Sequence, residues 1–138
     1  MIILDTDVVS EPMKRQRAER VLEWLDEQAA DTLYLTAVSF AELLTGVAFL
    51  PDGKRKAGLH SGLTTLIERL FGARILVFDH VAAEYYAKIA ARMRGAGLGI
   101  SVADCQIASI AQAHGFLVAT RDEEPFRAAG VGVINPWE

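Results

Sequence analysis

The sequence predicts an α/β protein of the doubly wound class, and three observations carry that prediction. Short apolar runs recur along the chain as candidate strands, amphipathic stretches with helical spacing separate them, and no repeat, low-complexity tract or interdomain linker interrupts the alternation. Strands that alternate with helices imply a mainly parallel sheet, because joining parallel strands takes a crossover long enough to hold a helix. At 138 residues the chain is expected to be one domain, residues 1–138, since one core organises roughly 100 to 200 residues.

Ile2-Ile3-Leu4 reads as a strand buried on both faces, followed by a polar loop at Asp5-Thr6-Asp7, and Glu11-Pro12 ends whatever begins there. Val21, Leu22, Trp24 and Leu25 recur at helical spacing between Arg17 and Gln28. Leu33 to Thr36 is the second strand. The stripe Phe40, Leu43, Leu44, Val47 and Leu50 is a helix stopped by Pro51-Asp52-Gly53. Lys54 to Gly58 is basic and rich in breakers, and leads into a helix carrying Leu63, Leu66, Ile67, Leu70 and Phe71, with Gly72 as its cap. Arg74 to Phe78 is the third strand, Asp79 is an N-cap candidate, and Val81 to Arg94 is an alanine-rich helix. Ser101 opens a helix that runs to His114-Gly115. Phe116 to Ala119 is strand four, Thr120 to Glu124 a polar turn, Pro125 sits in a first helical turn, and Val131 to Ile134 is strand five. In such sheets ligands bind beyond the carboxyl ends of the strands, so the residues after strands one and four are the first place to seek a site.

Composition narrows the function classes. Fourteen Lys and Arg face 18 Asp and Glu, a net charge of −4, so no global positive field draws the chain to polyanions and any nucleic-acid contact is local. A single cysteine, Cys105, excludes an internal disulfide and a multi-cysteine zinc site and fits a cytoplasmic home. Hydrophobic residues make up 51%, which excludes disorder and points to self-association or a partner. The apolar stretches are broken by charges and the N-terminus lacks a basic leader region, so neither secretion nor membrane insertion is expected.

Four acids stand where one site could gather them: Asp5 after strand one, Glu42 and Asp104 one turn into two helices, and Asp122 after strand four. Each has a plainer explanation. Ser39 to Glu42 matches a capping box and Ser101 to Asp104 matches its geometry, while Asp122 could be an ordinary turn aspartate. Taken jointly they suggest a hard divalent cation, because converging carboxylates repel one another and oxygen-only ligation favours Mg²⁺ or Mn²⁺. Such a centre suits phosphodiester hydrolysis.

The run Ile3-Leu4-Asp5-Thr6-Asp7-Val8-Val9-Ser10-Glu11-Pro12, then Ala41-Glu42-Leu43 with Gly46, Ala103-Asp104 with Ile107-Ala108, Ala119-Thr120-Arg121-Asp122 and Asn135-Pro136-Trp137 resembles the PIN-domain ribonucleases. The likeness is greatest to the VapC and FitB-like toxins of toxin–antitoxin pairs, and it spans essentially the whole chain. It implies a three-layer α/β/α fold with a five-stranded parallel sheet, a homodimer, a Mg²⁺ or Mn²⁺ centre and cleavage of cellular RNA. It also implies a small antitoxin that obstructs the acidic pocket and supplies DNA binding for the pair. By the same resemblance Asp5 and Asp104 are direct metal ligands, Glu42 is a ligand or the base for the attacking water, and Asp122 acts through water or on a second ion. Two positions depart from the pattern: Asp7 stands where the family usually has Asn or Ser, and Pro125 replaces an acid often found three residues after the fourth acidic position.

Other candidates have plainer readings. Lys14, Arg15, Arg17 and Arg20, then Lys54 to Lys56, then Lys88, Arg92 and Arg94 could hold RNA phosphates or simply line solvated helix faces. Arg121 could grip a phosphate or pair with a neighbouring carboxylate. Thr6 and Thr120 could serve the site or make ordinary turn bonds. His60, His80 and His114 are not grouped and read as surface residues, and Cys105 reads as core. The stripe Val81, Tyr85, Ile89 and Met93 reads as core or dimer interface. Two alternatives to the nuclease remain: a non-catalytic dimerising and co-regulatory subunit of an antitoxin–DNA complex, and a haloacid-dehalogenase-like phosphatase, whose nucleophile loop Asp5-Thr6-Asp7-Val8-Val9 also resembles.

Overall fold

The computed structural model describes all 138 residues. Five strands, β1 (Ile2–Leu4), β2 (Leu33–Thr36), β3 (Ile75–Leu76), β4 (Leu117–Ala119) and β5 (Val133–Ile134), form one sheet in the order β3-β2-β1-β4-β5. Every pairing is parallel, with Ile3 opposite both Tyr34 and Val118. Seven helices surround it: α1 (Thr6–Ser10), α2 (Glu19–Glu27), α3 (Ala37–Ala48), α4 (Lys54–Phe71), α5 (His80–Gly95), α6 (Val102–His114) and α7 (Glu124–Ala128).

The alternation of side chains along β1 divides the core. Ile3 joins Ile89, Met93, Ile107, Ile110 and Phe126 on the α5, α6 and α7 side, whereas Ile2 and Leu4 join Val21, Leu63, Ile67 and Phe71 on the α2 and α4 side. The result is the expected three-layer α/β/α arrangement. Being central and buried on both faces, β1 and β4 bring their carboxyl ends side by side, where Asp5 N–H donates to Ala119 O at 2.9 Å.

Local chemistry explains most boundaries. Asp79 Oδ1 accepts from Ala82 N–H at 2.9 Å and Ser101 Oγ from Asp104 N–H at 3.1 Å, so both predicted caps open their helices. Gly115 ends α6 at φ 69°, a left-handed position where a Cβ is costly. Other elements differ from expectation. The polar loop after β1 is instead helix α1, because the Asp5 carboxylate accepts from Thr6 N–H at 2.8 Å and starts a helix at once. The basic stretch from Lys54 is the first turn of α4 rather than a lead-in, with Gly58 tolerated on an exposed face. Strand β3 is an edge strand of two residues, since the chain leaves the sheet for the Asp79 cap. Strand β5 is short because its pairing begins only at Gly132, whose carbonyl accepts from Val118 N–H.

Candidate active site

The site lies beyond the carboxyl ends of β1 and β4. Asp5 leaves β1 with both carboxylate oxygens engaged: Oδ1 accepts from Thr6 N–H, and Oδ2 accepts from the Thr120 hydroxyl at 2.9 Å. Thr120, fully buried at the end of β4, also accepts from Asp122 N–H at 3.2 Å and lies 3.5 Å from Asp7 Oδ2. Asp7 Oδ2 takes Arg121 N–H at 3.0 Å. One hydroxyl and one backbone amide thus tie the start of α1 to the turn after β4.

Glu42 arrives from another direction. Its helix α3 is capped by Thr36, whose Oγ1 accepts from Ser39 N–H at 3.0 Å. The capping box expected at Ser39 to Glu42 is therefore absent: Ser39 lies inside the helix with its hydroxyl buried and unpartnered, and the exposed Glu42 carboxylate is free for other work. The Thr6 hydroxyl donates to Glu42 Oε1 at 3.2 Å. Asp104 enters from the first turn of α6, its amide bound to the Ser101 cap and its carboxylate half-buried.

The electrostatics show a concentration of negative charge that the protein does not neutralise. Burial, then the neighbouring Asp7 charge and more weakly Asp104, push Asp5 up to about 7, against hydrogen bonds from Thr6 and Thr120 that lower it. Burial raises Asp7 despite the hydrogen bonds from Arg121 N–H and the Thr120 hydroxyl, and Asp122 adds to the rise. Asp104 is raised by burial and by Asp122, with the Ser101 hydroxyl opposing. Asp7 and Asp104 thus act on Asp5, Asp122 acts on Asp7 and Asp104, and the Thr6 hydroxyl connects Glu42 to the group.

This donor set fits a hard divalent cation. The oxygens are carboxylate oxygens, no cationic side chain pairs with them, and Asp7 Oδ1 is buried without any hydrogen-bond partner, a costly state unless a proton or cation meets it. No three His, Cys, Asp or Glu side chains stand close enough to close a coordination shell by themselves. An ion held by one or two of these carboxylates with water completing its shell is the habit of Mg²⁺.

The profile of the PIN domain matches residues 2–131. The chain belongs to the PIN-domain family. That match also settles the choice against the dehalogenase-like alternative for the loop after β1. Among similar proteins, plasmid stability protein StbB of Pseudomonas syringae pv. tomato is 49% identical over 138 residues, covering 100% of this chain and 99% of that protein. VapC ribonuclease Y4jK of Sinorhizobium fredii is 46% identical over the same length and covers 100% and 99%. The crystal structure of FitAcB from Neisseria gonorrhoeae superposes with a TM-score of 0.95 at 47% identity, covering 100% of this chain and 99% of that one. FitAB bound to the IR36 DNA fragment gives 0.95 at 46%, covering 100% and 96%.

Several features of this PIN domain escape its sequence. Glu11, 4% exposed, accepts from Ala18 N–H at 2.9 Å and pairs with Lys14 at 2.9 Å, so it anchors the loop after α1 and takes no part in the acid cluster. An acid placed between the buried Val8-Val9 pair and Pro12 was the available signal. Arg121 pairs with no carboxylate; its guanidinium carbon lies 5.4 Å from the centre of the Trp137 ring. The histidines are exposed, Cys105 is buried, and Ile89 and Met93 of the α5 stripe are core while Val81 is 38% exposed. An open groove of about 720 Å³ runs beside the site, lined by Val38, Ala41, Glu42, Phe49, Phe78 and Gln106 among others. Phe49 is 84% exposed there. No helix is long and apolar enough to cross a membrane.

Proposed function

We propose that this PIN domain is a metal-dependent endoribonuclease, the toxin of a type II toxin–antitoxin pair, acting in the cytoplasm as a homodimer. The observation that carries the proposal is the un-neutralised carboxylate group around Thr120, with Asp5 pushed up to about 7. Support also comes from similarity to a protein named VapC ribonuclease. Asp5 and Asp104 would hold a Mg²⁺ or Mn²⁺ ion, with Asp122 and Asp7 behind them. Such an ion supplies charge neutralisation for the phosphodiester and a more acidic water.

The chain's own residues do the rest. Thr120 orients Asp5 and fixes the turn that carries Asp122. Thr6 holds Glu42 by Oε1, leaving Oε2 to accept the proton of the attacking water as general base. Water oxygen joins phosphorus, the ester oxygen departs, and the proton resides on Glu42 until it is passed to solvent or to the leaving group. The apolar groove beside Glu42 is the proposed seat of the antitoxin, in keeping with the FitAcB and FitAB complexes. DNA contact runs only through that partner.

Purified antitoxin-free protein is incubated with structured RNAs and Mg²⁺ or Mn²⁺. Wild type cuts and Asp5→Ala does not; equal behaviour of the two refutes the catalytic assignment. If the wild type cuts nothing and a variant lacking all four acids still supports operator binding with the antitoxin, the purely co-regulatory reading is favoured instead.

A further inference from the structure

We infer that Arg121, held against the ring of Trp137, is a phosphate clamp that seats single-stranded RNA beside the acidic site by gripping a phosphate flanking the one that is cut. The inference rests on the ribonuclease reading above and names the residue that answers a problem this reading creates. Asp5, Asp7, Glu42, Asp104 and Asp122 repel a polyanion, and the chain as a whole carries −4. A cation is needed close to the acids but not paired with them.

Arg121 is the only basic residue adjacent in sequence to a site acid. Several other cations are already occupied: Lys14 by Glu11, Lys56 by Asp52, Arg127 by Glu123, and Arg74 and Arg92 by backbone carbonyls. The Arg121 side chain is exposed and makes no ion pair, and its guanidinium donates no hydrogen bond within the protein. Glu11, whose carboxylate feels its charge, is 4% exposed and taken by Lys14 and Ala18 N–H.

The residue is also preorganised at both ends. Its backbone N–H is pinned to Asp7 Oδ2 at 3.0 Å, which sets its register against the acids. Its guanidinium lies 5.4 Å from the Trp137 ring centre, a cation–π arrangement that leaves the edge N–H groups free. Trp137 is itself fixed: its backbone N–H donates to Asn135 Oδ1 at 3.0 Å, Asn135 Nδ2 donates to Glu123 Oε2 at 3.0 Å, and the ring packs on the α2 and α4 side of the core. A guanidinium whose freedom is already reduced loses less entropy on meeting a phosphate, which it can bind through two parallel hydrogen bonds.

The test compares wild type, Arg121→Ala and Arg121→Lys. Binding of a short fluorescein-labelled single-stranded RNA is followed by anisotropy over a salt series, with Ca²⁺ in place of Mg²⁺, and cleavage is followed in Mg²⁺ or Mn²⁺. Loss of one phosphate contact lowers the slope of log K against log salt by about 0.7 for Arg121→Ala, while Arg121→Lys keeps most of it. KM rises about tenfold and kcat changes less than about threefold, as expected for one charge-assisted contact. Unchanged slope and KM in Arg121→Ala, with an active wild type, overturn the clamp and leave the ribonuclease reading standing. So does a fall in kcat alone, or a loss confined to binding of an antitoxin. A wild type that neither binds nor cuts RNA overturns both.

Discussion

Replacing Asp5 by Asn should make the metal-free protein more stable, although it abolishes the proposed activity. Asp5 titrates at about 7 in the folded chain against 3.8 for an unperturbed aspartate, so between those values the folded state holds a proton that the unfolded state releases. Stability is then greatest below the unfolded value and is lost as pH rises through the folded one. Each unit of difference is worth about 1.4 kcal/mol, which puts the full cost of ionising Asp5 above about pH 7 at roughly 4 kcal/mol. Asn at this position removes the charge and keeps the geometry: its oxygen accepts from Thr6 N–H, and its NH₂ donates to the Thr120 oxygen, whose own proton turns to Asp7. The expected gain is about 2 to 4 kcal/mol near pH 8 and much less near pH 4. Asp7 and Asp104, both raised, slope the same way. Glu11, Asp79 and Glu123, all lowered, lose stability only as pH falls through the acid range below their ordinary values. Urea unfolding in EDTA across this pH range measures the effect. Asp5→Asn less stable than wild type near pH 8, or a wild-type stability that rises between about pH 5 and pH 8, would refute the reasoning.

Further outcomes follow from the same geometry. Glu42→Gln and Asp104→Asn should each reduce RNA cleavage by at least about a hundredfold in a gel assay, but calorimetry with Mn²⁺ should show the larger loss of metal affinity for Asp104→Asn, because Asp104 is the proposed ligand and Glu42 the proposed base. Thr120→Val removes the hydroxyl that Asp5 and Asp122 share. It costs about 1 to 3 kcal/mol and moves the pH-dependent loss of stability to higher pH, read from the same unfolding series. Glu11→Gln costs about 1 to 3 kcal/mol by breaking the Lys14 pair, and it flattens the acid limb of the stability profile while cleavage is retained.

The elements legible in the sequence are those whose signals are local. Strand β2 coincides with the Leu33 to Thr36 run, and the Asp79 and Ser101 caps open α5 and α6 as their side chains predict. The segments that deviate depend on competition between local signals or on distant packing. Helix α1 has five residues, too few to show a periodicity, and Asp5 looks alike as loop acid or cap. At α3, Thr36 outcompetes Ser39 because its extended backbone at the end of β2 directs its hydroxyl to the Ser39 amide, in the first turn of the helix. Burial of Leu63, Ile67 and Phe71 sustains α4 through two glycines, Gly58 and Gly62, each costing about 1 kcal/mol.

The site divides in the same way. Asp5, Glu42, Asp104 and Asp122 are visible as acids at the ends of strands and starts of helices. Thr120 looks like any turn threonine until β4 is set beside β1, and the Arg121 and Trp137 contact joins two segments that only the folded sheet brings together.

Whether one divalent ion binds among these carboxylates can be read from anomalous diffraction of crystals of the protein soaked in Mn²⁺. An anomalous peak is expected within bonding distance of Asp5 and Asp104 oxygens and should vanish in Asp104→Asn. Soaked crystals with no peak there, or with one that persists in Asp104→Asn, would rule out a metal centre held by these two carboxylates.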